Sequence, residues 1–496
     1  MKRELSNNTL LKLSEFIAFN FALHFPEERW DDLERHIVSA GKEFEFKDIG
    51  KFIEYITSSP LTRENSEILA SYLTVNETYF WREPQTFEAL EQEILPGLVR
   101  ARHEEKRIRI WSAGCSTGEE PYSIAIALRK LIPDIKKWNI TIIASDINPK
   151  MLNKANEGLY SRWSFRNAPP WLKEKYFVPN KNGKFEIIPG IKNMVTFKYL
   201  NLAEDVYPSQ LNNTNAMDII FCRNVLMYFT KHRFKQVVKG LFNSLMEGGY
   251  LIVSANELSV HNFFDFMPVS SHGMILYQKT SGKVKKRERD VMTDTMPRPA
   301  PAQVIPKQGP VVESITSLPI KPQNVIAEKQ IIPHNDTYER NLKLYKEGDY
   351  EAVINNLQNS DRTLNKQVLL IKSYANMGKL SEASSICEKA IVGEKLNPML
   401  HYLYATILQE GNKYNEAIAS LKRAIYLNPD FILSYFSLGN IYQRLGDFNK
   451  SKKYYKNTLS ILDKYEQDDI LPESEGISAG RFREIINSTM QTRSLI

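Results

Sequence analysis

Cysteine is scarce in this 496-residue chain: Cys115, Cys222 and Cys387 stand far apart and without metal-ligand spacing. A disulfide framework and a metal site are therefore not expected. Long hydrophobic runs are missing too; none reaches the roughly eighteen residues that cross a bilayer. The opening residues, MKRELSNNTLLKLSEF, lack the apolar stretch of a secretory signal. A cytoplasmic protein with no direct membrane insertion is expected. Charge of one sign is likewise absent: 65 Lys and Arg face 58 Asp and Glu, and the net of +7 is small for this length. No basic, aromatic-rich surface stands out, so no nucleic-acid partner is expected.

Four kinds of pattern follow one another along the chain. Residues 1–75 carry apolar positions at helical spacing, as in Leu10, Leu13, Ile17, Phe21 and again Ile49, Phe52, Ile53, Ile56. They predict a small N-terminal helical domain. Over 76–281 short β-rich runs alternate with helical stretches such as Glu119–Leu131 and Lys231–Met246. The runs are Arg107–Ala113, Ile140–Ser145, Met194–Tyr199, Met217–Cys222, Tyr250–Ser254 and Met274–Gln278. Such alternation predicts an α/β domain with a mostly parallel sheet. Residues 282–334 pass from a basic cluster, KVKKRER, into PRPAPAQVIP, a composition that stays extended as a linker.

The region 335–465 repeats. Gly378, Asn412 and Gly446 recur every 34 residues, as do Ala383, Ala417, Ser451 and Ala390, Ala424, Thr458. That period, with small residues where helices pack, predicts an all-α tetratricopeptide superhelix whose concave face binds a protein partner. Packing of the stack against the rest of the chain is the other reading. GDYEA at Gly348–Ala352 looks like an irregular further copy, and 466–496 reads as a C-terminal tail. The long linker predicts separable parts, so that a chain ending near Lys279 folds and holds a cofactor alone.

Chemistry concentrates in Ile110–Ser123, IWSAGCSTGEEPYS, which follows a strand and opens a helix. Its small residues let a ligand approach the backbone, in the crevice at the carboxyl ends of parallel strands. The spacing is neither the dinucleotide GxGxxG nor a phosphate-binding loop with its lysine. Glu119 and Glu120 would repel a phosphate and suit an ammonium or sulfonium. Asp146 ends the second strand, where an acid takes a ribose diol in nucleoside-binding sheets; taken alone, it also reads as a helix cap before Pro149. Together these features point to an adenosine-type ligand without pyrophosphate, and S-adenosyl-L-methionine fits.

In order along the chain, NETYFWRE (Asn76–Glu83), WSAGCSTGEEPYSIA (Trp111–Ala125), ASDI (Ala144–Ile147), NL (Asn201–Leu202) and FCRNVLMYF (Phe221–Phe229) resemble the motifs of CheR-type chemoreceptor glutamate methyltransferases. The resemblance covers about residues 5–280, and the repeats resemble those of a subgroup with tetratricopeptides after a proline-rich linker. It implies a class I, Rossmann-like methyltransferase domain with a β-hairpin insert at about 177–195. S-adenosyl-L-methionine is the implied cofactor. Asn76, Thr78, Arg82, Glu119, Asp146, Asn201, Leu202, Arg223 and Asn224 are the implied cofactor contacts, with Glu119 meeting the methionyl ammonium. Arg82 and Tyr228 are implied at the methyl-transfer step, and a chemoreceptor-like protein is the implied substrate. A glutamate with a pKa of about 4.3 is already ionised at neutral pH, so esterification needs no general base.

Two departures from the family pattern stand out. A glycine-histidine-serine-glutamate turn is replaced by Ser254-Ala255-Asn256-Glu257, and residues 1–75 hold nine Lys and Arg against thirteen Asp and Glu. The first bears on substrate-side contacts. The second reads as a solvated helix face or as a different substrate surface. Methylation of RNA or a small molecule, or a catalytically weak cofactor-sensing scaffold, are the competing readings. Retention of Arg82, Glu119, Asp146, Arg223, Asn224 and Tyr228 speaks against the last.

Overall fold

The computed structural model describes residues 5–21, 23–58, 61–74, 77–258, 263, 265–280, 334–360 and 363–491. Asn76 and nearly all of the expected linker lie outside the described residues.

Strand β1 (Arg107–Ala113) is buried at every position, as its unbroken run of strand-forming residues demands for the centre of a sheet covered on both faces. It pairs in parallel with β2 (Asn139–Asp146), Ser112 opposite Ala144. Three short strands follow, β3 (Leu159–Tyr160), β4 (Phe177–Pro179) and β5 (Phe185–Ile187), and form a separate antiparallel sheet. The main sheet resumes with β6 (Val195–Tyr199), β7 (Met217–Phe221), β8 (Leu245–Ile252), β9 (Phe266–Ser271) and β10 (Met274–Lys279). Its order is β6–β2–β1–β7–β8–β10–β9. Five strands run parallel, and β10 is antiparallel to both β8 and β9. The chain leaves β1 toward β2 and β6, then returns to its other side at β7. That reversal opens a crevice at the carboxyl end of β1.

This is the expected Rossmann-like architecture, with differences at its edges. The insert draws a third strand from Leu159–Tyr160, while Val195 already belongs to the main sheet. Strand β9 carried no alternation in the sequence; Met267, Pro268 and Ser270 are exposed and it borders only β10. Four N-terminal helices, Asn7–Phe21, Trp30–Glu43, Ile49–Ser58 and Arg63–Leu73, bury Leu10, Leu13, Ile17, Leu33, Phe52 and Ile56.

The repeats form four helix pairs between His334 and Leu462. The 34-residue ladder has a backbone cause: Gly378, Asn412 and Gly446 turn the last three pairs with φ of 71°, 61° and 79°, a region that favours glycine and tolerates asparagine. Ala383, Ala417, Ser451, Ala390, Ala424 and Thr458 are all buried where the helices cross.

The two parts touch, a contact that the linker did not suggest. The edge carrying the turn at Gly378 and the end of the helix at Glu410 lies on the main sheet. Glu410 places one carboxylate oxygen 2.8 Å from Arg107 Nη2 and accepts at the other from Asn215 Nδ2 at 2.9 Å. Its carbonyl accepts from Asn139 Nδ2 at 2.7 Å. The turn at Gly378 sits so close to Met246 that a Cβ there would stand 2.9 Å from the methionine methyl. Nor is 466–496 only a tail: it contains the helix Ala479–Gln491, with Phe482 and Ile486 fully buried.

Candidate functional site

At the end of β1 the chain must turn over the tip of β2. Gly114 and Cys115 donate their N–H groups to the Ser145 carbonyl at 2.7 and 2.9 Å. Gly114 holds φ +80°, and a Cβ there would meet Val225 Cγ2 at 2.3 Å, so the position requires glycine. Asp146 at the tip of β2 accepts from Ser116 N and Asn148 N, each at 2.8 Å. It is not the helix cap: Asn148 caps Pro149–Glu157 through Met151 N. Burial pushes the Asp146 carboxyl above the usual carboxylate range, against the pull of its backbone donors.

Around Asp146 a pocket gathers Asn201, Leu202, Asn224 and Tyr228, together with Gly114 and Ser116. The N-terminal domain closes its far wall with Phe21, Leu23 and Phe25. Leu23 bridges to Phe229 as a strand would, and His24 N donates to the Tyr228 carbonyl at 2.6 Å. Sequence reasoning placed Phe21 on an amphipathic face but missed Leu23 and Phe25, which lie past the helix end. Arg29 stands 5.4 Å from the centre of the half-buried Tyr228 ring.

Four expected residues stand outside this pocket. Arg223 is committed elsewhere, with Nη1 3.0 Å from Glu120 and Nη2 3.1 Å from Glu83 and 2.8 Å from the Arg82 carbonyl. It ties the NETYFWRE loop to the helix after the glycine turn. Arg82 donates to the Glu77 carbonyl at 2.6 Å and lies over Tyr79. Thr78 is half-buried on the same loop. Glu119 is buried and accepts from Thr117 Oγ1 at 2.6 Å and Ser164 Oγ at 3.0 Å; burial raises its pKa.

Glu257 has a role the sequence reading did not give it. Its carboxylate accepts from the backbone of Asn224, Val225 and Met227 at 2.8, 2.7 and 3.3 Å, and from Ser254 N and Oγ at 3.1 and 2.6 Å. One buried side chain thereby shapes the whole turn that carries Asn224 and Tyr228. The signal was present: Ser254-x-x-Glu257 is a capping box, and both of its bonds form.

A polar nucleoside fits the pocket on structural grounds. Ser116 Oγ and Asn224 Oδ1 are buried, and neither has a hydrogen-bond partner among the described residues. Such groups are costly to leave unpaired, and a ligand with donors and acceptors would satisfy them. Apolar Leu202, Phe21 and Leu23 supply flat surface beside them.

Comparison with known proteins settles the family. Residues 76–272 match the CheR methyltransferase SAM-binding domain, and 406–446 and 432–461 match tetratricopeptide repeats. A chemotaxis protein methyltransferase of Borreliella burgdorferi is 32% identical over 51% of this chain and 89% of its own length. The chain belongs to the CheR family of chemotaxis protein methyltransferases. A second such enzyme, chemotaxis protein methyltransferase 2 of Vibrio cholerae, is 40% identical over 39% of this chain and 66% of that protein. In the repeat region, MamA of Desulfovibrio magneticus RS-1 aligns at 14% identity and a TM-score of 0.25, covering 27% of this chain and 77% of that one. As a CheR-type methyltransferase the protein uses S-adenosylmethionine as methyl donor and acts in chemotaxis. Among the described residues no helix is long and apolar enough to cross a membrane.

Proposed function

We propose that this CheR protein esterifies glutamate side chains of a chemoreceptor-like protein in the cytoplasm. S-adenosylmethionine supplies an electrophilic methyl group on a sulfonium. Asp146 holds the ribose diol, Asn201 and Leu202 flank the adenine, and Asn224 and Ser116 satisfy remaining polar groups. Glu119 and Thr78, with Asn76, serve the amino-acid end. Arg223 acts by holding Glu83 and Glu120 rather than by touching the ligand.

The observation that carries the acceptor reading is the mouth of the pocket. Tyr228 lies there with the guanidinium of Arg29 over its ring, and Arg82 is on the adjoining loop. Cations beside a half-buried phenol suit an ionised carboxylate, which attacks without a general base. The chain's task is then to align acceptor and donor and keep water out, with the N-terminal wall covering the site.

The repeats are proposed to bring a protein partner, as such surfaces commonly do. Glu475 of the chain itself already meets Tyr345 and Lys372 on the first helices of two pairs, so a partner meets a groove partly filled. Labelling membranes and proteome of the source cell with radioactive cofactor and the purified chain tests the acceptor. Base-labile label on a membrane receptor supports the reading; label in RNA would overturn it.

A further inference from the structure

Helix Ala479–Gln491 is the last described element, yet it touches the cofactor side of the enzyme. The segment before it is fastened to the repeats: Leu471 and Ile477 are buried, and Glu475 accepts from Tyr345 Oη at 3.1 Å with Lys372 Nζ at 3.5 Å. Phe482 packs on Phe436 with ring centres 4.8 Å apart. From this fixed base Arg481 reaches back to the methyltransferase domain. Its Nε donates to Asp205 Oδ1 at 2.7 Å, Nη2 pairs with Oδ2, and the guanidinium lies 4.6 Å over the Tyr199 ring.

Asp205 has a second duty. The carboxylate also accepts the N–H of Asn201 at 2.6 Å, and the Asp205 N–H donates to the Asn201 carbonyl at 2.9 Å. The turn 201–205 is therefore closed from both ends, and the same turn presents Asn201 and Leu202 to the pocket. A forked guanidinium fixes a carboxylate in both position and orientation, which a lysine ammonium does not.

We propose that Arg481 and Asp205 are positioning residues for the cofactor, so that the C-terminal helix sets the adenine side of the pocket from more than 270 residues away in sequence. The proposal rests on the reading of this pocket as the S-adenosylmethionine site. Without Arg481, Asp205 keeps its bond to Asn201 but loses the anchors that orient it. The adenine wall then shifts, and affinity for the nucleoside falls while the transfer geometry at Tyr228 is untouched.

The test is calorimetric binding of S-adenosylhomocysteine to the full chain, with unliganded melting recorded for each variant. Arg481→Ala is expected to weaken binding about tenfold, and Arg481→Lys, which keeps charge without the fork, by about threefold. The exchanged pair, Asp205→Arg with Arg481→Asp, should not recover affinity, because an arginine at 205 offers Asn201 N–H no acceptor. A purely structural contact would predict lower melting temperature with unchanged affinity in Arg481→Ala; that result, or affinity regained in the exchanged pair, overturns the proposal. Should Arg481→Ala fail to fold, Arg481→Lys carries the test, with unchanged affinity overturning it. Asp146→Ala separates the underlying reading: if it too leaves affinity unchanged, the pocket is misassigned, whereas weakened binding there with none at Arg481 sinks the positioning proposal alone.

Discussion

Glu410, at the end of a repeat helix, meets Arg107 on the first strand of the catalytic sheet at 2.8 Å, with side chains only 8% and 7% exposed. The pair spans 303 positions of sequence, and Asn215 completes the carboxylate's bonding. Its energetic meaning lies less in attraction than in what breaking it leaves behind. A buried cation without its partner is strongly unfavourable, whereas the intact pair roughly offsets its own desolvation.

Glu410→Ala should therefore destabilise the protein by about 3–5 kcal/mol. Denaturant unfolding measures it, with Glu410→Gln intermediate because the amide can still meet Asn215. Loss within experimental error of zero would mean that Arg107 finds water and that the two parts are loosely joined.

Deleting residues 335–496 takes Glu410 from Arg107 and Arg481 from Asp205. The truncated enzyme should bind S-adenosylhomocysteine more weakly than the full chain and expose the surface around Met246. Dye binding and calorimetry on the two forms check this. Equal affinity would restore the picture of independent parts that the proline-rich linker suggested.

Asp146→Ala should weaken cofactor binding by about 1–3 kcal/mol, the worth of a charge-assisted hydrogen-bonding group. The same residue predicts a pH dependence. Burial raises the pKa values of Asp146 and Glu119 in the folded protein above their unfolded values. On acidification the folded apo form therefore takes up protons before the unfolded chain does, which favours the fold at low pH. It opposes a ligand that needs the ionised carboxylates, so affinity should fall at a higher pH than an ordinary carboxylate would impose. Calorimetry across the acidic range should show that fall, flattened in Asp146→Asn.

Glu257→Ala should leave the backbone N–H groups of Asn224, Val225 and Met227 without their acceptor. A stability loss of about 1–3 kcal/mol per unsatisfied buried group is the scale expected. Methyl transfer should fall with it, since Tyr228 rides on that turn. Hydrogen exchange of those three amides reports the cause directly; unchanged protection would contradict it.

The catalytic sheet was legible because its strands are short, apolar and bounded by turn chemistry: Arg107–Ala113 and the helix Glu119–Leu131 appear at the expected residues. Asp146, Asn201, Leu202, Asn224 and Tyr228, singled out from separate motifs, line one pocket. What could not be read were contacts between elements distant in sequence. Nothing in the neighbourhood of Glu410 or Arg481 marks either as facing another domain, since a charged residue near a helix end normally serves solvent. The pairing of Arg223 with Glu83 and Glu120 was hidden for a related reason: its motif position says that it is near the site, not which way its guanidinium points.

Esterification of a protein glutamate at the pocket beside Tyr228 is read out by tandem mass spectrometry of an acceptor. A chemoreceptor cytoplasmic fragment from the same cell would be incubated with S-adenosylmethionine and either the full chain or its Tyr228→Phe variant. A base-labile methyl ester is expected on defined glutamates, formed much more slowly by the variant although it binds cofactor normally. Cofactor bound but no ester formed on any glutamate, or methyl found on another residue type, would contradict it.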